Sequence, residues 1–349
     1  MPSLDLVNGV GLVVVATLVA YAVLAGPDFG AGVWDLLARG TRASEQRAII
    51  AAAMGPVWEA NHVWLIFLII LLFTAYPAAF AALSVAFFVP FHLALAGIVL
   101  RGAAFVFRNY GGGATAWGRV FGIASMLTPV VLGAALGATA TGGVRVVDGH
   151  VQPGAGLAWL QPFPLALGVL TLLLCAHVAA LRLALTSRGR VREDFRRNAL
   201  GIGLVAVVLS LGTLMLLMGT APRLRDGLMS LRAAPVLTLA VLLAPASAGA
   251  LWRRRYGLAR GLGVGQVVGL LVAWALAQWP YIIYPDVLLH AAAAPPATLA
   301  FILATLPLGM GLVLPSLWLL FTVFRDQPRR AADRREAHET ALAPEVARS

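Results

Sequence analysis

No lysine occurs anywhere in this sequence; all 26 of its basic residues are arginine. Charge as a whole is scarce. Only 12% of the 349 residues are charged, against 60% that are hydrophobic, whereas soluble domains carry about 25% charge. A chain so poor in charge cannot clothe a water-exposed surface, and a mean hydropathy of +0.87 agrees. Composition thus excludes a soluble domain and predicts a polytopic membrane protein. Cysteine is nearly absent too: with Cys175 alone, the chain can form no internal disulfide and no cysteine-based cluster. In LALGVLTLLLCAHVAAL that cysteine reads as a small buried side chain. The N-terminal MPSLDLVNGVGLVVV lacks the basic segment of a cleaved signal peptide, so the first apolar run is expected to stay as a span. Strand-like alternation over about ten residues is missing as well, which excludes a membrane β-barrel.

What is present is a series of long apolar runs. Nine of them can cross a bilayer whose core needs about 20 helical residues: 6–26, 52–75, 79–105, 118–140, 160–185, 199–219, 234–252, 261–284 and 297–324. The fold class is therefore all-α, a membrane bundle of about nine helices. The net charge of +11 would suggest nucleic acid in a soluble protein, but the arginines cluster between apolar runs rather than on one face. Arginines hold cytoplasmic loops in place. With the N-terminus outside, 22 arginines fall on the inner side or its borders, and only Arg145, Arg223, Arg225 and Arg232 remain outside. This predicts an N-terminus outside, a C-terminus in the cytoplasm and no nucleic-acid role. The organisation is one transmembrane domain, 1–325, and a charged cytoplasmic tail, 326–349, of mixed sign and without a buried face. The outer stretch TGGVRVVDGHVQPGAG is glycine-rich and nearly neutral, with no sign of a folded domain.

Ionisable groups in such helices are costly, roughly 2.5–3.5 kcal/mol for an unpaired charge at mid-bilayer, and mark sites of use. The candidates are Asp28, Glu59, His62, His92, Arg101, His177 and Arg182. Arg182 is placed to snorkel to the inner surface, and His177 reads equally as a packed histidine. In YAVLAGPDFGAGVWDLL, Gly26 and Pro27 are expected to break the helix. Asp28 then either caps the next helix or handles protons. Glu59 and His62 head a span in GPVWEANHVWLIF, one turn apart on a shared face, beside Asn61 and two tryptophans. His92 and Arg101 lie nine apart, on different faces. A bis-histidine haem would need two imidazoles facing each other from separate helices. By type His62, His92 and His177 qualify, yet no motif pairs them.

The stretches YAVLAGPDFGAGVWDLL, MGPVWEANHVWLIFLIILLFTAYPAAFAALS, LRGAAFVFRNY and WPYIIYPDVLLHAAAA, in this order, resemble subunit II of the cytochrome bd-type quinol oxidases. The match carries that family's Gly-aromatic-Asp-x-Gly-x-Gly turn, its Pro-x-Trp-acid-x-Asn-x-Val-Trp-Leu motif and its Arg-Gly-x-x-Phe-x-Phe-Arg motif. Departures are Ala25 where many members carry an acid, Pro27 for the aromatic, Val106 for a frequent Glu and Glu59 for a common Asp. His62, where others have Gln or Glu, resembles the cyanide-insensitive branch. The resemblance implies a bacterial inner-membrane oxidase that oxidises quinol and reduces dioxygen to water. It further implies a partner subunit I holding the haems, b and d or b-type only, and most of the quinol site. A small single-span subunit is a further partner it allows, and this chain would bind no haem or metal and hold no catalytic residue.

Under that resemblance Asp28, Glu59, His62 and Arg101 form either a proton path toward the partner or a polar cluster that fixes helix packing. Two readings from other classes remain open: a proton-coupled secondary transporter, for which no inverted repeat is found, and a membrane cytochrome ligating its own haem.

Overall fold

The computed structural model describes residues 5–54, 58–110 and 115–324. Twelve α-helices make up nearly all of them: α1 Leu6–Leu37, α2 Ala43–Met54, α3 Trp58–Ala75, α4 Pro77–Ala86, α5 Phe88–Tyr110, α6 Thr115–Ala138, α7 Pro162–Thr186, α8 Gly189–Thr220, α9 Pro222–Leu228, α10 Ala234–Trp252, α11 Tyr256–Gln278 and α12 Pro296–Phe324. Among the described residues eight helices are long and apolar enough to span a membrane, and α2 with α3, bent by 52°, makes a ninth if counted as one. Such a chain must satisfy its backbone within each segment, because lipid offers no hydrogen bonds, and helices do this.

The helix α1 is the centre of the bundle. It packs against α2, α3, α6, α7, α11 and α12. The contacts are close because glycines face the neighbours: a Cβ on Gly30 would overlap the Cys175 carbonyl of α7, and one on Gly32 would overlap Ser125 of α6. The indole N–H of Trp34 donates to the Ala176 carbonyl at 2.8 Å, tying α1 and α7 together again. On the far side α7, α8, α10 and α11 form a second group, with α10 at its edge against α11 and α8.

Several expectations need correction. The helix does not break at Gly26–Pro27; α1 runs through Pro27 to Leu37. Proline removes one backbone bond, but unwinding here would strand several more polar groups inside the bundle, so the helix persists. The run expected at 79–105 is divided, with α4 ending at Ala86 and α5 starting at Phe88. The run expected to reach 284 stops at Gln278, ahead of Pro280, and residues 281–288 turn back as a hairpin of β3 Tyr281–Ile283 and β4 Val287–Leu288. At its start α8 extends ten residues further than the apolar run, carrying its arginines in helical form. The tail expected from 326 lies outside the described residues.

The glycine-rich stretch TGGVRVVDGHVQPGAG, read as showing no sign of a folded domain, forms a short hairpin. β1 Val146–Val147 pairs with β2 His150–Val151 around Asp148 and Gly149, both with positive φ, 49° and 78°. An Asp-Gly pair in that conformation is the preferred two-residue hairpin turn. Arg145 reaches Asp286 of the β3–β4 turn at 2.8 and 3.2 Å, and the Val146 amide donates to the same carboxylate at 2.8 Å. These bonds hold the Asp286 carboxyl below the usual carboxylate range.

Candidate functional site

Asp28 sits in the interior of α1, not at a helix start, and is 1% exposed. That excludes the capping role. Its Oδ2 accepts from Asn61 Nδ2 at 2.6 Å, and its Oδ1 faces Arg182 Nη1 at 3.4 Å. Arg182 also donates to the Ala53 carbonyl at 2.9 Å. Arg182 therefore does not simply snorkel: it lies four residues inside the end of α7 and turns toward the α1 carboxylate. A small crevice of about 10 Å³, room for about one water, opens beside this pair, lined by Pro27, Asp28, Ala31, Met54, Ala179 and Arg182 among others.

Two turns further along the same face, Asp35 is 2% exposed as a side chain and pairs with Arg108 of α5 at 2.6 Å. Arg47 closes that end, donating to the carbonyls of Asp35 at 3.3 Å and Ala38 at 2.9 Å. Nearer the surface Arg42 grips Asp194 of α8 with two bonds of 2.7 Å, and Gln46 adds one of 3.0 Å. The arginine-rich ends of α1, α2, α5, α7 and α8 are thus laced by carboxylate–guanidinium contacts.

Arg101 of α5 is 1% exposed and is the largest fully buried side chain. Its guanidinium carbon lies 4.9 Å from the Phe29 ring centre and 5.6 Å from that of Phe121. Asp28 lies close enough for its charge to act on it. Arg101 is thus held between aromatic faces within the field of Asp28, while the direct ion pair of Asp28 is with Arg182. His62 is half-buried, its ring edge-on to Tyr21 at 6.1 Å and to Phe29 at 5.9 Å between centres. Glu59, in the first turn of α3, is exposed. The structure therefore brings Asp28, Arg101 and His62 together around Tyr21 and Phe29, and leaves Glu59 outside that group.

Asp35 is the member that sequence reasoning passes over, while it reads Arg182 as snorkelling and Asn61 only as a neighbour of Glu59 and His62. The seven-residue spacing of Asp28 and Asp35, two helical turns, was the available signal, and the expected break at Pro27 concealed it.

The histidines do not fit a haem held between them. His177 Nδ1 is engaged by the Ala199 carbonyl at 3.0 Å. His92 stands on the exposed side of α5 and bonds the Phe88 carbonyl of its own helix at 2.7 Å. Their helices, α3, α5 and α7, do not pack extensively on one another.

Comparison with known proteins places this arrangement. The family described as cytochrome bd terminal oxidase subunit II matches residues 9–324. A Bacillus subtilis (strain 168) chain named for cytochrome bd menaquinol oxidase subunit II is 22% identical over 320 residues, 88% of this chain and 92% of that one. The cytochrome bd-I ubiquinol oxidase subunit 2 of Escherichia coli (strain K12) is 30% identical over 204 residues, 56% of this chain and 53% of that one. In three dimensions the chain is similar to a chain of the bd oxidase from Geobacillus thermodenitrificans, with a TM-score of 0.77 and 22% identity, covering 91% of this chain and 98% of that one. With a match running through α1 to α12, the chain belongs to the cytochrome bd terminal oxidase subunit II family.

Proposed function

We propose that this chain is the non-haem subunit of a quinol:oxygen oxidoreductase in the bacterial inner membrane, N-terminus outside and C-terminus in the cytoplasm. A partner subunit I carries the haems and most of the quinol site. The chain is inactive alone, and its polar cluster supplies protons from the cytoplasmic side toward the partner. The observation that carries the proton reading is the Asp28 carboxylate, buried yet bordering a crevice at the arginine-rich end of the bundle. An acid that can change charge, with Arg182 and Asn61 holding it, is a suitable relay. The helices that carry His62, His92 and His177 do not pack extensively on one another, which supports placing the haems elsewhere. The arginine asymmetry supports the orientation.

Glu59 enters this reading as an exposed acid at the start of α3, a collecting position ahead of the buried group. Glu59→Gln keeps shape but cannot ionise, and Glu59→Asp restores ionisation. Oxygen uptake with quinol is measured together with subunit content. The relay requires normal assembly of both variants, slow oxidation with Gln and near-normal oxidation with Asp; a fully active, fully assembled Gln variant ends it. Reduced-minus-oxidised spectra of the chain separated from its partner test the haem assignment, and a stoichiometric haem band there would refute it.

A further inference from the structure

Several arginines at the arginine-rich end of the bundle are answered by acids within the protein: Arg42 by Asp194, Arg108 by Asp35, Arg182 by Asp28 and Arg196 by Glu193. One corner is different. Between α10 and α11 the sequence reads Trp252-Arg253-Arg254-Arg255-Tyr256, with Arg260 one turn into α11. Arg253, Arg255 and Arg260 are exposed, and no acid pairs with them among the described residues. Arg254 lies in the field of Glu193, which already bonds Arg196 and meets Arg197 at 3.5 Å. The neighbouring α8 contributes Arg192, whose guanidinium lies 5.2 Å from the Tyr256 ring centre.

The backbone is arranged to present this charge. Helix α10 ends with the Arg253, Arg254 and Arg255 amides folded back onto the carbonyls of Gly249, Leu251 and Ala250. Arg254 takes a φ of 59°, the left-handed position that glycine fills at most helix ends. A side chain there is disfavoured, yet the sequence keeps arginine. The tight turn packs three consecutive guanidinium stems between two membrane helices. Trp252 beside them is 77% exposed, the placement of an indole at headgroup level. Helix α10 also exposes Leu239, Val241 and Leu242 in its first half, and Leu258 of α11 is exposed next to Arg260. Cationic groups lie at the rim, and an apolar wall rises from them.

We propose that this corner binds the phosphate of an anionic phospholipid, with its acyl chains along the exposed face of α10. Arg260, Arg255 and Arg253 supply the charge, and planar guanidinium groups suit the phosphate oxygens. Basic sites at the ends of membrane helices recognise anionic headgroups in this way. The site lies in the second helix group, so it stands or falls independently of any proton role for Asp28.

The test uses the intact oxidase complex. It is reconstituted with phosphatidylglycerol carrying a photoreactive acyl chain, or with phosphatidylcholine carrying the same chain, and labelled peptides are mapped. Preferential phosphatidylglycerol labelling of residues 234–260 is expected, at least several-fold over phosphatidylcholine. It should fall to the phosphatidylcholine level in Arg255→Gln/Arg260→Gln, persist in Arg255→Lys/Arg260→Lys, and be unchanged in Arg119→Gln, an exposed arginine at the start of α6. Equal labelling by the two lipids, or labelling confined to other helices, overturns the proposal, and both readings come from the unaltered protein. Inorganic phosphate at millimolar concentration should not compete; if it does, the corner is a free-phosphate site and the lipid is wrong. Labelling that emerges only after residues 326–349 are removed would assign the corner to the acids of the mixed-charge tail instead.

Discussion

Replacing Asp28 by asparagine isolates charge from shape at the buried centre of the bundle. The bond from Asn61 at 2.6 Å has a charged acceptor. Such bonds are worth about 1.5–3 kcal/mol and neutral ones about 0.5–1.5, so its conversion costs about 1 kcal/mol. The ion pair is looser, at 3.4 Å, and the Arg182 side chain is 26% exposed. It also keeps its hold on the Ala53 carbonyl. A fully buried pair broken on one side costs about 3–5 kcal/mol; solvent access at Arg182 reduces this to about 1–2. Asp28→Asn should therefore destabilise the subunit by about 2–3 kcal/mol in total. By the size scaling of domains of 150–250 residues, that is about 4–12 °C in Tm, and a longer chain falls toward the lower end. The assay is thermal denaturation of the purified complex for Asp28→Asn, Arg182→Gln and both together, with oxygen uptake normalised to assembled enzyme. The two changes should be strongly non-additive, because the second removes a partner already lost. Strict additivity would refute the ion pair. A stable Asp28→Asn complex with unchanged turnover would refute both the energetic argument and the relay.

Other outcomes follow from neighbouring contacts. Arg101→Lys should retain part of the attraction to the Phe29 and Phe121 rings, worth about 2 kcal/mol where desolvated, so its complex content should exceed that of Arg101→Ala; equal assembly of the two would deny the rings any role. Gly30→Ala forces a methyl group into the Cys175 carbonyl and should cost about 1–3 kcal/mol by overpacking, read as lost α1–α7 contact in subunit content; normal yield would mean α1 can shift aside. Where the two hairpins meet, the folded-state pKa of Asp286 is depressed. Its contribution is therefore present above the usual carboxylate pKa of about 3.9 and lost as pH falls through the lower folded value. Because Arg145 is 54% exposed, less than about 1 kcal/mol is at stake. Hydrogen exchange of residues 144–152 should accelerate only below about pH 4, and Arg145→Gln should abolish that acid dependence.

Much of the fold is legible in composition and run length, because a bilayer imposes a length on every apolar segment and leaves helix as the remedy for backbone polarity. The bends are less legible. Gly26–Pro27 carries a strong local signal to stop, and the tertiary surroundings of α1 override it. Conversely, the end of α11 at Gln278 was encoded in Pro280, but the apolar WPYIIYP obscured it. At the site, residue types marked Asp28, His62 and Arg101 because ionisable groups are rare in such helices. Which of them pair is a long-range matter. Asp28 meets Arg182 from 154 residues away, a pairing that no local pattern in one sequence encodes. Glu59 illustrates the opposite error: its three-residue spacing from His62 promised a shared face, yet α3 turns Asn61 and His62 toward α1 and leaves the acid outside.

That long separation has a consequence for synthesis. Helix α1 leaves the ribosome ahead of the other described helices, but most of the surfaces that enclose it, on α6, α7, α11 and α12, are made later. Asn61 follows Asp28 by 33 residues and Arg182 by 154. At about 5–20 residues per second, the carboxylate spends roughly 8–30 s without its arginine. A charge cannot stay unanswered in lipid for that long without penalty. The newborn helix therefore has two courses: to bear that cost within the bilayer, or to wait near the membrane surface until α7 is in place. On either course the oxidase subunit closes around this helix last.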